Sequence, residues 1–267
     1  MQGFTLSSGI TRIPNIEKFL GVERISRNLL LLGSGSCKAI YSWGHKPYSK
    51  AATRMASLFS QQHVRLEDGF VCSFGSKGRS RKYSLVIDRD GIYYDANSPS
   101  RLENILNGLD ADSWQLSDPA MNTDAAKLMQ SLIANDISKY NVVVDSGISA
   151  NDESPFVLVV DQTFGDQSVN YGGMQASDFT DMLQHALAHH DPSDVRVKVH
   201  PDVLAGIKQS YLSEQARELG VELISGDIPL RRLDQCKVAY VGTSLYGFEL
   251  LMRGVSVNCF GQPFYVG

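Results

Sequence analysis

The sequence is poor in the features that mark secreted, membrane-spanning and metal-binding chains. Its four cysteines, Cys37, Cys72, Cys236 and Cys259, lie far apart with no CxxC pair and no Cys/His ligand spacing. Neither a zinc site nor a disulfide framework is expected, and a reducing cytoplasm suits the chain best. The longest apolar runs, such as Asn28 to Gly33 and Phe156 to Val160, fall far short of the ~20 residues that span a bilayer. Met1 to Ser8 lacks the basic start and apolar centre of a signal peptide. Any membrane association is therefore expected to be peripheral. A formal charge of −4 offers no electrostatic reason to expect nucleic acid. GxGxxG, GxxxxGK[ST] and GxSxG are absent, which leaves dinucleotide, P-loop and serine-hydrolase chemistry without support. Asp110-Ala111-Asp112 has the spacing of a DxD metal motif, but no strand precedes it, and the simpler reading is a pair of solvated acids.

What is present is an ordinary globular composition, 43% hydrophobic and 20% charged over 267 residues, long enough for one large or two medium α/β domains. Apolar periodicity switches repeatedly between two and about 3.6, as in alternating strands and helices. In the first half the pattern predicts a strand over Ala39–Trp43, a helix over Tyr48–Gln61 and a strand over Val64–Leu66. Tyr83–Ile87 and Ile92–Tyr94 flank Asp90-Gly91 and read as a hairpin. Helices are expected over Pro99–Leu106, signalled by Ser98-Pro99, and over Thr123–Asn135, capped by Asn122. Asp145 to Pro155 collects Asp, Ser, Gly, Asn and Pro and reads as an interdomain linker. Beyond it, strands at Phe156–Val160, Val195–Val199, Val221–Ile224, Val238–Val241 and Val255–Phe260 alternate with helices at Asp178–His189, Tyr211–Leu219, Leu230–Gln235 and Tyr246–Met252. Five strands separated by short helices predict a doubly wound parallel sheet.

Such sheets bind ligands just outside the carboxyl ends of their strands, so residues there are the candidates for chemistry. Val195-Arg-Val-Lys-Val-His-Pro-Asp202 puts Lys198 and His200 at period two near a strand end, suited to an anion. Asp161-Gln162-Thr163-Phe164-Gly165-Asp166-Gln167-Ser168 follows a fully apolar strand and offers amide, hydroxyl and carboxylate groups. Gly242-Thr243-Ser244 precedes a helix whose free N–H groups favour a phosphate, with Glu249 one turn further in, towards a ribose hydroxyl. Glu67-Asp68-Gly69 ends a strand on adjacent carboxylates, whose proton affinities such a setting can push apart. Each motif alone is also compatible with a plain turn or cap.

In one order, the sequence carries Trp43-Gly44-His45-Lys46-Pro47, Leu66-Glu67-Asp68-Gly69-Phe70, Ser84-Leu85-Val86-Ile87-Asp88, and Gly91-Ile92-Tyr93-Tyr94-Asp95-Ala96 with Pro99-Ser100. These are followed by Asp161 to Ser168, Lys198-Val199-His200-Pro201-Asp202 and Cys259-Phe260-Gly261-Gln262-Pro263-Phe264-Tyr265. The set resembles the capsule polysaccharide biosynthesis proteins of the KpsC type, retaining β-Kdo glycosyltransferases of Gram-negative bacteria. The resemblance implies an α/β, GT-B-like fold of two Rossmann-like domains facing a central cleft. Residues 1–148 would form the acceptor-side domain and 149–267 the domain that binds the nucleotide sugar. The family usually continues past the last motif with Trp-Gly and a helical tail, and commonly carries two modules. One module is read here, from a fragment or a single-module relative.

The resemblance further implies CMP-β-Kdo as donor, a Kdo-terminated glycolipid built on phosphatidylglycerol as acceptor, and other capsule synthesis and export proteins as partners. No cofactor or metal is expected, and the setting is the cytoplasm, peripherally at the inner membrane. Kdo carries a carboxylate beside its anomeric carbon and CMP leaves with a phosphate charge, so two anions need partners. His200 is expected to hydrogen-bond the departing phosphate, Ser244 and the following helix to hold it, and Lys198 to face the donor's anionic end. Gln162, Ser168, Pro201, Thr243 and Glu249 complete the expected donor contacts. Retention calls for a nucleophile and an acid/base. Asp166, past the strand end beside Gly165, is preferred to Asp161 as nucleophile, with Asp68 or Glu67 as acid/base. The alternatives are an inverting CMP-sialic-acid-type transferase with Asp68 as general base, or a non-catalytic protein that binds or assembles around a sugar nucleotide.

Overall fold

The computed structural model describes residues 1–74, 81–108, 118–141, 154–200, 203, 206–225 and 230–266. The expected linker at Asp145 to Pro155 lies almost wholly outside these residues, as do Asp110-Ala111-Asp112 and Pro201. Two compact units emerge: one takes Met1–Tyr93, Ser98–Gly108 and Lys139–Asn141, the other Tyr94–Asn97, Leu109–Ser138 and Val142–Gly267. Among the described residues no helix is long and apolar enough to cross a membrane.

The first unit contains β1 (Gln2–Thr5), α1 (Ile16–Leu20), β2 (Arg24–Ser26), β3 (Cys37–Trp43), α2 (Pro47–Leu58) and β4 (Gln62–Asp68). The short strands β5 (Ser73–Phe74) and β6 (Arg81–Lys82), then β7 (Leu85–Asp88) and α3 (Arg101–Asn107), follow. Its main sheet has the order β2-β1-β3-β4-β7, parallel except for β7. β1 and β2 are too short to announce themselves by periodicity. Phe4, Ile40, Ala52 and Ala56 fill one face, and Ile10, Ile16, Tyr41, Val64 and Leu66 the other. Because α2 sets Ala52 and Ala56 four residues apart, one stripe of small side chains lets it lie close to the sheet.

Three expectations in this half are corrected. The hairpin across Asp90-Gly91 does not form: Leu85–Asp88 pairs antiparallel with β4, and Ile92–Tyr94 is not a strand. The cause is Asp88, whose buried carboxylate accepts hydrogen bonds from the amides of Asp90 and Gly91, both at 2.9 Å, and of Arg101 at 3.0 Å. Those bonds turn the chain away from the sheet and lead it into α3. That helix starts not at Ser98-Pro99 but after Ser100, which forms a capping box with Glu103. The next helix, α4 (Pro119–Ala134), starts at Asp118 rather than Asn122, because Asp118 accepts from the Ala120 and Met121 amides and Pro119 suits the first helical position.

β8 (Tyr140–Asn141) closes a small sheet in the order β6-β5-β8. The second unit then runs β9 (Phe156–Val160), α5 (Gln167–Tyr171), α6 (Ala176–His189), β10 (Val195–Val199), α7 (Ser213–Glu218), β11 (Glu222–Ser225), β12 (Cys236–Val241), α8 (Tyr246–Met252) and β13 (Ser256–Cys259). Leu230–Gln235 is a 3-10 helix. The sheet order is β11-β10-β9-β12-β13, all parallel, as the alternation predicts. Phe156–Val160 reads as continuous apolar sequence because β9 is central and covered on both sides. Val157 and Val159 pack with Phe179, Met182, Leu183 and Ala186 of α6, while Phe156, Leu158 and Val160 pack with Leu233 and Leu250. Each buried Val, Leu, Phe or Met side chain among these contributes roughly 1.5–3 kcal/mol. β10, one strand out, alternates: Val195, Val197 and Val199 enter the α6 side, and Arg196 and Lys198 take the other.

The Asp88 carboxylate predicts a stability test. Asp88→Ala leaves three amides without their acceptor and should lower unfolding free energy by about 3 kcal/mol or more, measured by urea denaturation; a change under about 1 kcal/mol would remove Asp88 as the cause of the turn.

Candidate functional site

In the second sheet β9 and β12 are neighbours, but the chain leaves β9 towards β10 on one side and β12 towards β13 on the other. The ends of these two strands therefore part and open the crevice where doubly wound sheets bind ligands. Three of the expected donor residues meet there. Gln162 donates from Nε2 to Ser168 Oγ at 3.1 Å and to Thr243 Oγ1 at 3.2 Å, while its Oε1 accepts from the Thr243 amide at 2.9 Å. Thr243 Oγ1 also lies 3.2 Å from Ser168 Oγ. This clasp ties the loop after β9 to the loop after β12, and both Gln162 and Thr243 are buried. Gly242 makes it fit: a Cβ there would stand 2.8 Å from Gln162 Oε1 and 2.5 Å from Met174 Sδ.

The two aspartates of this loop do different things. Asp161 is buried, and its carboxylate accepts from the amides of Gln162 at 2.8 Å, Leu212 at 3.1 Å and Tyr211 at 3.2 Å. Burial raises its pKa, and hydrogen bonds from Ser210 and these amides act against that. α7 begins at Ser213, two residues later than the pattern predicts, and the Tyr211 and Leu212 amides just before it donate to Asp161. Asp166 caps α5: Oδ1 accepts from the Ser168 amide at 2.9 Å and from Ser168 Oγ at 3.0 Å. Asp166 is only half-buried, and it follows Gly165, whose φ of +79° is one that a side chain would strain.

Lys198 and His200 lie at the end of the strand beside β9. Lys198 Nζ stands 4.8 Å from the ring centroid of Tyr246, the first residue of α8. His200 is exposed just past the strand. Ser244 Oγ accepts from the Tyr246 amide at 3.2 Å, and its carbonyl accepts from the Tyr265 hydroxyl. Glu249 is buried within α8.

Glu67 and Asp68 belong to the first unit, where strand geometry gives the adjacent carboxylates different partners. Glu67 Oε1 accepts from the Trp43 indole at 2.8 Å and from the Asp68 amide at 3.1 Å. Burial raises its pKa above the usual carboxylate range, although the Asp68 amide, Lys139 and Trp43 act against that. Asp68 forms a partly buried ion pair with Lys82. For Lys82, burial favours the neutral amine, and the Asp68 carboxylate with Cys72 more than offsets it, so the ammonium is stabilised.

Several of these partners carried no signal in the sequence. Lys82 reaches Asp68 because β6 pairs antiparallel with β5, with Ser73 opposite Lys82. Tyr246 and Tyr265 lie in motifs already noted, but their contacts with Lys198 and Ser244 depend on packing. Among the described residues, no group of three or more His, Cys, Asp and Glu side chains is arranged to hold a metal ion.

Fold and site define a two-unit α/β protein with a hydrogen-bonded clasp at the ligand crevice of its second sheet. The chain belongs to the capsule polysaccharide biosynthesis protein family, whose model matches residues 38–267. It is 37% identical, over 98% of its length, to the capsule polysaccharide modification protein LipA of Neisseria meningitidis serogroup A, and covers 36% of that protein. It is 31% identical over 86% of its length to the lipopolysaccharide-processing protein LpsZ of Rhizobium meliloti, covering 52% of it. The chain thus spans between about a third and a half of these relatives. Among solved structures, Thermosulfurimonas dismutans KpsC, a beta Kdo 2,4 transferase, matches all of this chain with a TM-score of 0.83 and 32% identity, the chain covering 81% of it. A beta Kdo 2,7 transferase form of KpsC from the same organism matches with a TM-score of 0.65 and 26% identity, 80% of it covered.

Two outcomes follow from the carboxylates. Asp161→Ala should destabilise the protein by about 3 kcal/mol or more and Asp166→Ala by about 1 kcal/mol, compared by thermal and urea unfolding; equal losses would contradict the division of labour. A raised pKa for Glu67 means that the folded chain holds this proton more tightly than the unfolded chain. Its contribution to stability is present below the ordinary glutamate pKa and is lost as pH rises through the raised one. Glu67→Gln should therefore flatten part of the decline in unfolding free energy as pH rises above the ordinary glutamate pKa, and an unchanged slope would count against the burial effect.

Proposed function

We propose that the chain is a metal-independent glycosyltransferase that moves Kdo from CMP-β-Kdo to a Kdo-terminated glycolipid acceptor with retention, in capsule linker synthesis. The observation that carries this reading is the likeness of the whole chain to a solved beta Kdo 2,4 transferase. The stronger likeness to that protein than to the 2,7 enzyme supports a 2,4 linkage. The reaction is assigned to the cytoplasm, peripherally at the inner membrane, alongside other capsule synthesis and export proteins.

In this reading the second unit takes the donor. The clasp of Gln162, Ser168 and Thr243 holds two loops still, so the donors around Thr243 and Ser244 are fixed before the phosphate arrives and need no rearrangement as CMP departs. Lys198, held over Tyr246, meets the donor's anionic end. His200 donates to the leaving phosphate, and Pro201 and Glu249 are assigned to the donor, Glu249 to its ribose. Asp166 is the nucleophile: its Oδ1 is used by Ser168, which leaves Oδ2 for the anomeric carbon. Asp161 is unsuited to that role because three backbone amides occupy its carboxylate.

The first unit takes the acceptor and supplies the acid/base. Glu67 suits this better than Asp68, since burial makes it hold a proton more tightly, whereas Asp68 is tied to Lys82. The same pairing counts against Asp68 as the general base of an inverting transferase.

One assay tests the reading: CMP-Kdo and a synthetic Kdo-lipid acceptor are incubated with the protein in excess chelator, and product mass and linkage are determined. A retained 2,4-linked product is expected. His200→Ala should lower turnover by about 10²-fold or more, and peptide mass spectrometry of a trapped adduct should find the sugar on Asp166. Near-normal turnover for His200→Ala, or an adduct on Asp68, would overturn the roles.

A further inference from the structure

The first sheet has its own switch point. β1 and β3 are neighbours, but β1 leads to β2 on one side and β3 to β4 on the other, so their carboxyl ends part as those of β9 and β12 do. A cavity of about 230 Å³ lies there. Ser7, Ile10 and Ile13 line it from the chain after β1, Trp43 and Tyr48 from the end of β3 and the start of α2, and Lys82 from β6. It is smaller than the roughly 300–1,000 Å³ of pockets for drug-sized ligands. That suits a single sugar ring better than a nucleotide.

The wall is mostly apolar and aromatic, with one cation. An ammonium has three N–H donors. One from Lys82 goes to Asp68 and a second, weaker, to Cys72 Sγ at 3.6 Å. Burial, foremost, and the nearby Asp68 raise the Cys72 pKa, so that sulfur is a thiol and not a competing anion. Among the described residues the third N–H has no partner. The ammonium stands 5.3 Å from the Trp43 ring centroid, and the indole is itself anchored by Glu67. α2, 12 residues long, begins at Pro47 and Tyr48 beside the cavity, so its amide end adds a favourable field for an anion.

We propose that this cavity is the subsite for the acceptor's terminal acidic sugar, with the sugar ring against Trp43 and its carboxylate on the third N–H of Lys82. The inference rests on the acceptor role given to the first unit above. Asp68 already balances the charge of Lys82, so recognition comes from a directed, charge-assisted hydrogen bond and not from net charge. Lys82 would then select an acidic acceptor while Glu67 and Asp68, bonded to the same two side chains, stay at its edge.

The test is a titration of the full chain, followed by tryptophan fluorescence, with the methyl glycoside of Kdo and with its uncharged C1 carboxamide. Trp43→Phe identifies the signal. The carboxylate form should bind about 10-fold more tightly than the carboxamide. Lys82→Met should bring the ratio to about one, Lys82→Arg should keep it, and the cavity-filling Ile13→Phe should weaken both ligands while leaving the Lys82–Asp68 pair intact. A ratio near one in the wild-type protein, or an unchanged ratio in Lys82→Met, overturns the subsite. CMP binding, measured separately by calorimetry, reports on the transferase reading: CMP bound without glycoside sinks only the subsite, and neither ligand bound sinks both.

Discussion

The crevice of the second unit depends on one buried amide. Gln162 uses both ends of its side chain at once, the NH2 on Ser168 and Thr243 and the oxygen on the Thr243 amide. A glutamine can do this because it is donor and acceptor together. In a buried setting such bonds strengthen one another, and an unmade one is expensive. Two loops 81 residues apart in sequence are thereby held at fixed separation.

Around that clasp, carboxylates of the same chemical type take different tasks because their surroundings differ. Asp88 and Asp161 are buried, and backbone amides use up their oxygens, so they shape turns. Asp166 caps a short helix with one oxygen. Glu67 keeps its proton more tightly because water is excluded from it, and Asp68 is matched by Lys82. Exposure and partners set these differences, not residue identity.

The second unit was largely legible from its sequence. Phe156–Val160 and Val195–Val199 are found where apolar continuity and alternation placed them, and Tyr246–Met252 where its pattern placed it. The first unit was less so. β1 and β2 are too short for a period to show, and Asp90-Gly91 carries a strong hairpin signal that the Asp88 carboxylate overrides. The shift of a helix start from Asn122 to Asp118 has the same origin, since either side chain can cap and only the local backbone decides. Candidate residues were legible as strand-end motifs, but partners such as Lys82 and Tyr246 were not.

By itself the sequence determined the alternating α/β order, the central apolar strand and the motifs that fall at the carboxyl ends of strands. Burial and periodicity are local properties, written in the spacing of side chains along one segment. Tertiary structure alone decided that Gln162 clasps Thr243, that Asp161 is spent on the amides of Tyr211 and Leu212, and that Lys82 stands between Asp68 and Trp43. Those are contacts between distant stretches of chain. Their geometry comes from strand order and pairing register, which no single segment contains.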